Sequence, residues 1–569
     1  MEYLTVVSLG PVQSFIGSAR KLEDYWSGSF LLSDITRRSI QLFEEYDWQS
    51  VELIQPTIST APNKENFDVA GLPNRFLFRV ETDHAMEEIM DMVETDIKLM
   101  VKNLLKGYVT NYFNQTSSAA MEAQINQQTS SMLELYWAFV PYVATDSFAK
   151  QRQLLEDNLA SVKNIRKSDY TIEYGLPCTM CAQRSALVSQ PLDENSTYPE
   201  MRASIRHLWG NIDENSRKIR AGEHLCAVCV AKRQQRTEIE QNAIKQGIVL
   251  NRTGFPSVSY FVEAKSRAES MASRQKTFDI ERKSETEDNR YYAMVKFDGD
   301  NMGKWIAEAD TLKVAQEKTA KLVQFAQKGV SEAKKNRHLR IIYAGGDDVL
   351  AVGAITDLLT FAADIRTNFS DEAKGLGPDR TASAGIVIVP EIFPLYKVIQ
   401  AANEAESLAK SYHDDQGNTK NAFCLTFIRR SGQIRQVILP FELENLSVNL
   451  LSYLMDTAQL WEDNGVSRSL IYHFQLVFQS LNDEYQRQNQ SSKLAFSDNR
   501  QLVEEQFTRL IRNLSELKDQ EFAELLALEL TELYCTHIGN FNSFIQLLEM
   551  IAYLASINHV ENKEGSNVL

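Results

Sequence analysis

The chain has 569 residues, of which 43% are hydrophobic and 24% charged, and its formal net charge is −16. That length suits three or four domains at the usual ~100–200 residues each. No apolar run approaches the ~18 residues of a membrane span, and the acidity argues against a protein that coats nucleic acid with its whole surface.

The N-terminal stretch "MEYLTVVSLGPVQSF" has no basic n-region and no cleavage site, so no export signal is expected. "YLTVVSLG" reads as a strand, and Phe15, Ile16, Ala19, Leu22 and Trp26 then recur at helical spacing. "VELIQPTI" and "NRFLFRVE" are further strand candidates, followed by a long helical stretch from about Ala85. Strand, helix, strand pair and helix begin a ferredoxin-like α+β unit, which we assign to residues 1–160.

Residues 161–285 show looser periodicity and hold Cys178-x-x-Cys181 and Cys226-x-x-Cys229, with 44 residues between the two pairs. Four thiolates at ~2.3 Å from Zn²⁺ make a closed tetrahedral structural site. Six cysteines are too few for a disulfide scaffold in a chain this long, which favours a reducing, cytoplasmic setting. The competing reading is two independent redox pairs. His224 is an alternative fourth ligand, whereas Cys424 and Cys535 read as core residues. The polar run "ERKSETEDNR", 281–290, reads as a linker or exposed loop.

Strand–helix alternation returns over 286–437. "YYAMVKF" suits a buried central strand, and a helix carries Leu322, Phe325, Ala326, Val330 and Ala333 on one face. A hairpin surrounds "YAGGDD", and helices are expected at about 357–369 and 395–410, with strands at "TASAGIVIV" and "AFCLTFI". This β-α-β-β-α-β order is again ferredoxin-like, the plan of polymerase and cyclase palms. From 438 to 569, Leu, Phe and Tyr recur at helical spacing without strand signals, so an all-helical domain is expected.

Gly345, Gly346, Asp347 and Asp348 suit an ordinary tight turn, since glycine permits φ > 0 and Asp is a common turn residue. A second acidic group, Asp298 and Asp300 in "KFDGDNMGKW", ends the strand expected beside that hairpin. Carboxylates so placed repel unless cations neutralise them. Mg²⁺ takes one or two carboxylates plus substrate phosphates, and a metal pair clamps both oxygens of an in-line displacement. Glycine at 345 and 346 leaves room for a nucleotide against the turn. Lys410, at the end of its helix, is placed to reach a triphosphate, against the bland reading of a solvated surface lysine.

"KFDGDNMGKW" and "YAGGDDVLAV" together resemble the large palm-containing polymerase/cyclase subunit of type III CRISPR effector complexes. "SLGPVQSFIGSARKLEDYWSGSFLLS", "PNRF" and "GEHLCAVCVAKR" resemble its III-B (Cmr-type) branch. The resemblance implies an α+β multidomain fold: two ferredoxin-like palm domains, a zinc-binding middle domain and an all-helical C-terminal domain. It implies a degenerate first palm, whose strand ends in Ser8-Leu9-Gly10 without carboxylates.

It further implies a target-RNA-activated nucleotidyltransferase making cyclic oligoadenylates from ATP, or joining AMP to S-adenosylmethionine. Mg²⁺ or Mn²⁺ would be held by Asp298, Asp347 and Asp348, with Asp300 beside them. Gly299, Asn301, Gly345, Gly346 and Lys410 would lie at the nucleotide. Other subunits, guide RNA and target RNA are the implied partners, with no membrane involved. An HD nuclease domain is not expected, because the palm strand opens at residue 3 and the only His-Asp dipeptide, His413-Asp414, lies in a polar loop. A non-enzymatic scaffold anchoring the guide-RNA end is the alternative from another class. A diguanylate cyclase, whose GGDEF hairpin is similar, is disfavoured by the zinc region and second palm.

Overall fold

The computed structural model describes all residues except 59–68, 114–117, 166–171, 211–218, 220–221, 246–254, 264–289, 414–416, 418, 444–448, 490–493, 516–519, 537–540 and 566–569. The expected linker at 281–290 thus lies outside the described residues but for Arg290.

The N-terminal unit runs β1 (Glu2–Gly10), α1 (Gln13–Gly17), α2 (Leu22–Glu44), β2 (Ser50–Gln55), β3 (Arg75–Glu81), α3 (Met86–Phe113), α4 (Ala119–Ser130), β4 (Glu134–Pro141) and α5 (Phe148–Lys163). The sheet order is β2-β3-β1-β4, all antiparallel, as in a ferredoxin-like unit. Alternation along β1 sends Val7 and Leu9 into a core with α2 and α3. Leu4 and Val6 face the other way, toward Phe148, Leu155 and Leu159 of α5. β4 carries no clean alternation in sequence, because Tyr136 and Trp137 stand consecutively between its buried residues.

The cysteine-bearing segment contains α6 (Tyr198–Trp209), α7 (Ala227–Lys245) and α8 (Val258–Glu263). Cys178, Cys226 and Cys229 join the same hydrophobic cluster as α2 and α3, so this segment shares the N-terminal core.

The second sheet belongs to β5 (Tyr291–Gly299), α9 (Met302–Ala307), α10 (Leu312–Gln324), α11 (Val330–Lys334), β6 (Leu339–Gly345), β7 (Asp348–Gly353), α12 (Ile355–Phe369), β8 (Ala382–Pro390), α13 (Leu395–Lys410), β9 (Ala422–Ile428) and β10 (Ile434–Pro440). Its order is β10-β9-β8-β5-β7-β6, with only β8 and β9 parallel. The ferredoxin-like core β5 to β8 is therefore extended by α13, β9 and β10. β10 was not expected from the sequence. It is a half-exposed edge strand whose polar centre faces the last domain, where Arg435 pairs with Glu549.

That domain is helical, with α14 (Leu450–Asp463), α15 (Ser469–Asn489), α16 (Arg500–Leu514), α17 (Gln520–Thr536) and α18 (Phe541–Gly565). It continues the core of the second sheet, and Tyr553 stacks on Phe427 with centroids 3.9 Å apart. No helix among the described residues is long and apolar enough to cross a membrane.

α2 joins these parts. Its Asp24, fully buried, forms an ion pair with Arg233 of α7, which is 1% exposed. Arg233 also meets Glu223 at 3.1 Å. Lys232, equally buried, donates to the carbonyls of Phe15 and Ser18 at 2.8 Å. On its other side α2 sends Leu22 and Trp26 against Tyr292, Met294, Ile342, Leu350 and Val352 of the second sheet. Ser33 Oγ accepts the N–H groups of Gly71 and Leu72, and the carbonyl of Ala70 accepts from Ala344 N in β6 at 3.0 Å. Removing one partner of a buried ion pair typically costs about 3–5 kcal/mol. Asp24→Ala is therefore expected to lower the unfolding free energy by about that much in a urea titration; an unchanged midpoint would contradict the role given to this pair.

Candidate active site

β5 delivers Phe297 to the helical core and turns Lys296 and Asp298 to the opposite face. Lys296 stands across from Gly385 of β8 in register. A methyl group at 385 would fall on the backbone of Ala402 and Glu406, so glycine lets α13 lie directly on the sheet. That contact sets two α13 side chains over β5. Glu406 reaches Lys296 at 3.3 Å and Lys410 at 2.9 Å, and Lys410 forms an ion pair with Asp298. Lys296 also donates to Asn403 Oδ1 at 2.9 Å.

β6 and β7 meet in a two-residue turn, with Gly345 paired to Asp348. Gly346 has φ +68° and faces open space, whereas a side chain at Gly345 would strike Tyr343 and approach Gly71 O at 3.1 Å. The absence of a Cβ at 345 thus serves the approach of the 70–72 segment rather than the nucleotide clearance expected of it. A Cβ on Gly299 would lie 2.9 Å from Asp347 Cβ, which puts Asp347 beside the end of β5. Burial, then Asp348, pushes the Asp347 carboxyl up to about 7, and burial also raises Asp348 against the opposing pull of Lys296. Burial lowers Lys410 to about 8, with help from Lys296 and Lys420. Carboxylates disfavoured as anions beside crowded ammonium groups form a site that gains by taking up cations and phosphates.

Asp298, Asp347 and Asp348 are brought to adjoining strand ends, but their oxygens do not all converge within 4.8 Å; among the described residues only the four cysteines gather so tightly. Like charges stand apart while Asp298 leans to Lys410. Lys410 is accordingly paired with Asp298 and Glu406 rather than left to solvent.

Asp300 requires a correction. It is 4% exposed, and its carboxylate accepts from Thr381 Oγ1 at 2.9 Å, Ser383 Oγ at 2.8 Å and Asn421 N at 3.0 Å. With those acceptor sites used, Asp300 anchors the turn after β5 instead of acting in catalysis. β5 ends at Gly299, so Asp300 stands in the turn outside the strand, and the chain goes on through Asn301 with a left-handed φ of +57°. Sequence reasoning missed Lys296, Gly385 and Asn403 and gave Glu406 no role. Lys296 was findable, being two residues before Asp298 on one strand face; contacts from α13 had no local signal.

Cys181 and Cys226 sulfurs are 3.8 Å apart, and all four lie within 4.8 Å. Tetrahedral thiolates at ~2.3 Å from one ion stand roughly 3.8 Å apart, so the donor set fits Zn²⁺. His224 is outside this cluster and serves through its backbone, accepting from Thr179 N at 2.9 Å. Cys424 is buried and Cys535 partly buried. His413 is exposed, and Asp414 lies outside the described residues.

Two protein-family profiles match this chain: Cas10/Cmr2, second palm domain, over residues 291–424, and CRISPR-associated protein Cmr2, N-terminal, over residues 4–106. In these two segments, each under half of its length, the chain is similar to the Cmr2/Cas10 family. A relative, CRISPR system Cmr subunit Cmr2 of Pyrococcus furiosus, is 21% identical over 605 residues, covering 82% of this chain and 66% of the relative, just under two thirds. The subtype III-A Cas10/Csm1 single-strand-specific deoxyribonuclease of Streptococcus thermophilus is 33% identical over 96 residues, 17% of this chain and 12% of its own. The fold matches type III-B Cmr-beta determined by cryo-EM in the apo state, with a TM-score of 0.69 and 13% identity, over 97% of this chain and 82% of that one. The same complex bound to cognate target RNA gives 0.65, also at 13% identity, over 97% and 83%.

Two expectations follow from this geometry. Gly385→Ala should displace α13, because backbone rather than a flexible side chain blocks the methyl; overpacking of that kind costs about 1–3 kcal/mol, read as a lowered melting temperature. Cys178→Ser with Cys181→Ser should remove the metal, found otherwise at about one per chain, and reduce soluble yield. Elemental analysis with thermal melting checks this, and a metal-free wild type of normal stability would refute it.

Proposed function

We propose that this chain is a target-RNA-activated nucleotidyltransferase subunit of a type III-B CRISPR effector ribonucleoprotein, making cyclic oligoadenylates from ATP. The observation that carries the reading is the meeting of Asp347 and Asp348, both raised by burial, with Asp298 and Lys410 at adjoining strand ends. Asp298, Asp347 and Asp348 would hold the divalent cations, Mg²⁺ or Mn²⁺. When bound, these supply Lewis-acid polarisation of the α-phosphate and a lowered pKa for the attacking hydroxyl.

The chain's own residues do the rest. Lys410 exchanges Asp298 for substrate phosphate, while Glu406 keeps hold of the ammonium and fixes its direction. Lys296 stays between Glu406 and Asn403 and balances the negative charge at Asp348. Asp300 holds the turn that aims Asp298. Open space at Gly346 admits the nucleotide to the hairpin tip.

The partners in this reading are the other subunits, guide RNA and target RNA, in the cytoplasm. It is supported by the two profile matches and by the fold shared with Cmr-beta. The cysteine cluster would hold Zn²⁺ as a structural ion without chemistry.

Asp347→Ala with Asp348→Ala should abolish nucleotide joining in the assembled complex while assembly and RNA binding persist. Mass spectrometry of products, from ATP with and without S-adenosylmethionine, reads the result and identifies the acceptor. Wild-type product levels from the double variant would leave only a scaffold.

A further inference from the structure

Lys232 follows Cys229 by three residues on α7, so both side chains lie along one side of that helix. It is fully buried, with its ammonium 4.7 Å from the centre of the Phe15 ring. It donates at 2.8 Å to the carbonyls of Phe15 and Ser18, at the end of α1. Its stem passes α2 at Gly28, where a Cβ would come within 3.1 Å of Lys232 Cε and 3.2 Å of its Nζ. α2 thus forgoes a side chain to seat this one.

Carbonyls solvate a buried ammonium without neutralising it, and a buried charge is costly unless it is paired. Among the described residues no carboxylate comes within ion-pair distance of Lys232. Asp24 spends its oxygens on Arg233 and on the N–H groups of Arg20 and Lys21. The negative groups that remain are sulfurs. Lys232 lines one small cavity together with Cys181 and Cys229. Burial disfavours its charged form, and the group that most opposes burial is Cys229, followed by Asp24, Cys181 and Cys226. A divalent ion leaves four thiolates with surplus negative charge, and this cluster is itself enclosed in the N-terminal core. Each buried charge therefore stands where the other lacks a partner.

We propose that Lys232 is the countercharge of the cysteine cluster, a positioning residue that strengthens metal retention and ties it to the turn between α1 and α2. This rests on the cluster holding zinc and is independent of the nucleotide chemistry proposed above. An ammonium has three donors, so it can keep both carbonyls and still direct one N–H and its charge toward sulfur. Coupling of this kind is reciprocal. Whatever Lys232 adds to the hold on the metal, the metal returns to the placement of Lys232 on the carbonyls of Phe15 and Ser18. Those carbonyls directly precede α2, the helix that braces the second sheet.

The test uses the full chain loaded with Zn²⁺, and with Co²⁺ as a spectroscopic probe, in wild type and Lys232→Met. Loss of a residue that supports metal ligands from behind typically weakens affinity about 10–100-fold. Competition with a chromophoric chelator should show zinc retention reduced to that extent. In the Co²⁺ form, thiolates without their countercharge give up electron density more readily, so the sulfur-to-metal absorption should move to longer wavelength. Gly28→Ala, which presses on the lysine without deleting it, should shift the band the same way by less. It carries the test if Lys232→Met does not yield soluble protein. Unchanged retention and an unchanged band overturn the assignment and leave the zinc reading intact. A lowered melting temperature with an unchanged band also overturns it, since the lysine would then only clamp two carbonyls. A wild type that holds no metal overturns the zinc reading and this inference with it.

Discussion

An arginine and an aspartate without access to water set the frame of this molecule. Asp24 and Arg233 come from segments 209 residues apart, and neither tolerates burial alone. Their pairing, with Glu223 as second acceptor, requires α2 and α7 to meet in one orientation. The cysteine cluster fixes the start of α7, since Cys226 and Cys229 flank its first turn. α2 then presents Leu22 and Trp26 to the second sheet, and its Ser33 holds the segment that adds to β6. The hairpin carrying Asp347 and Asp348 is thus braced from outside its own domain. Its edge strand would otherwise expose unpaired backbone groups along one side.

Within the second sheet, the same physics operates on half-buried charge. A chain of alternating signs runs Asp298, Lys410, Glu406, Lys296, and each link depends on α13 resting on Gly385. Asp348 lies at the end of that chain with the Lys296 charge opposing its burial, and Asp347 stands next to it. The site is therefore organised before any ligand arrives: positive groups on one side of β5, under-neutralised carboxylates on the other. Preorganised charge of this kind contributes to transition-state stabilisation without reorganisation at the moment of reaction.

Much of this was legible in the sequence, because the signals were local. Paired CxxC motifs, the hairpin glycines and the strand–helix periodicity each act within a few residues. β4 and β10 escaped because their polar or aromatic centres are satisfied by other elements. Asp300 was grouped with Asp298 because both carboxylates stand in one short motif, whereas β5 ends at Gly299 and Asp300 falls in the turn beyond it. The "KLEDYW" and "EHLCAVCVAKR" stretches stood out as a resemblance, yet nothing in either names Asp24 and Arg233 as partners. Only the folded chain joins them. Gly385 is similar: its reason for being glycine lies on a helix packed over it.

The two sheets also explain each other. In the second, Phe297 faces Val349 across β5 and β7, so the next positions along the pair are Asp298 and Asp348. In the first, Val7 faces Phe76, and the next pair is Ser8 and Arg75. Val7 and Phe297 both point into the helical core of their own unit, so Ser8 and Asp298 share the opposite face. The helix following the fourth strand covers that face in each unit, α5 in one and α13 in the other. Where one unit has two carboxylates and a lysine from its helix, the other has a hydroxyl and a guanidinium, and α5 answers with Glu156, paired to Arg75. The sign of the charge has been inverted. A fixed guanidinium there already neutralises its carboxylate and would repel a divalent cation, so the first unit does not repeat the charge arrangement of the second.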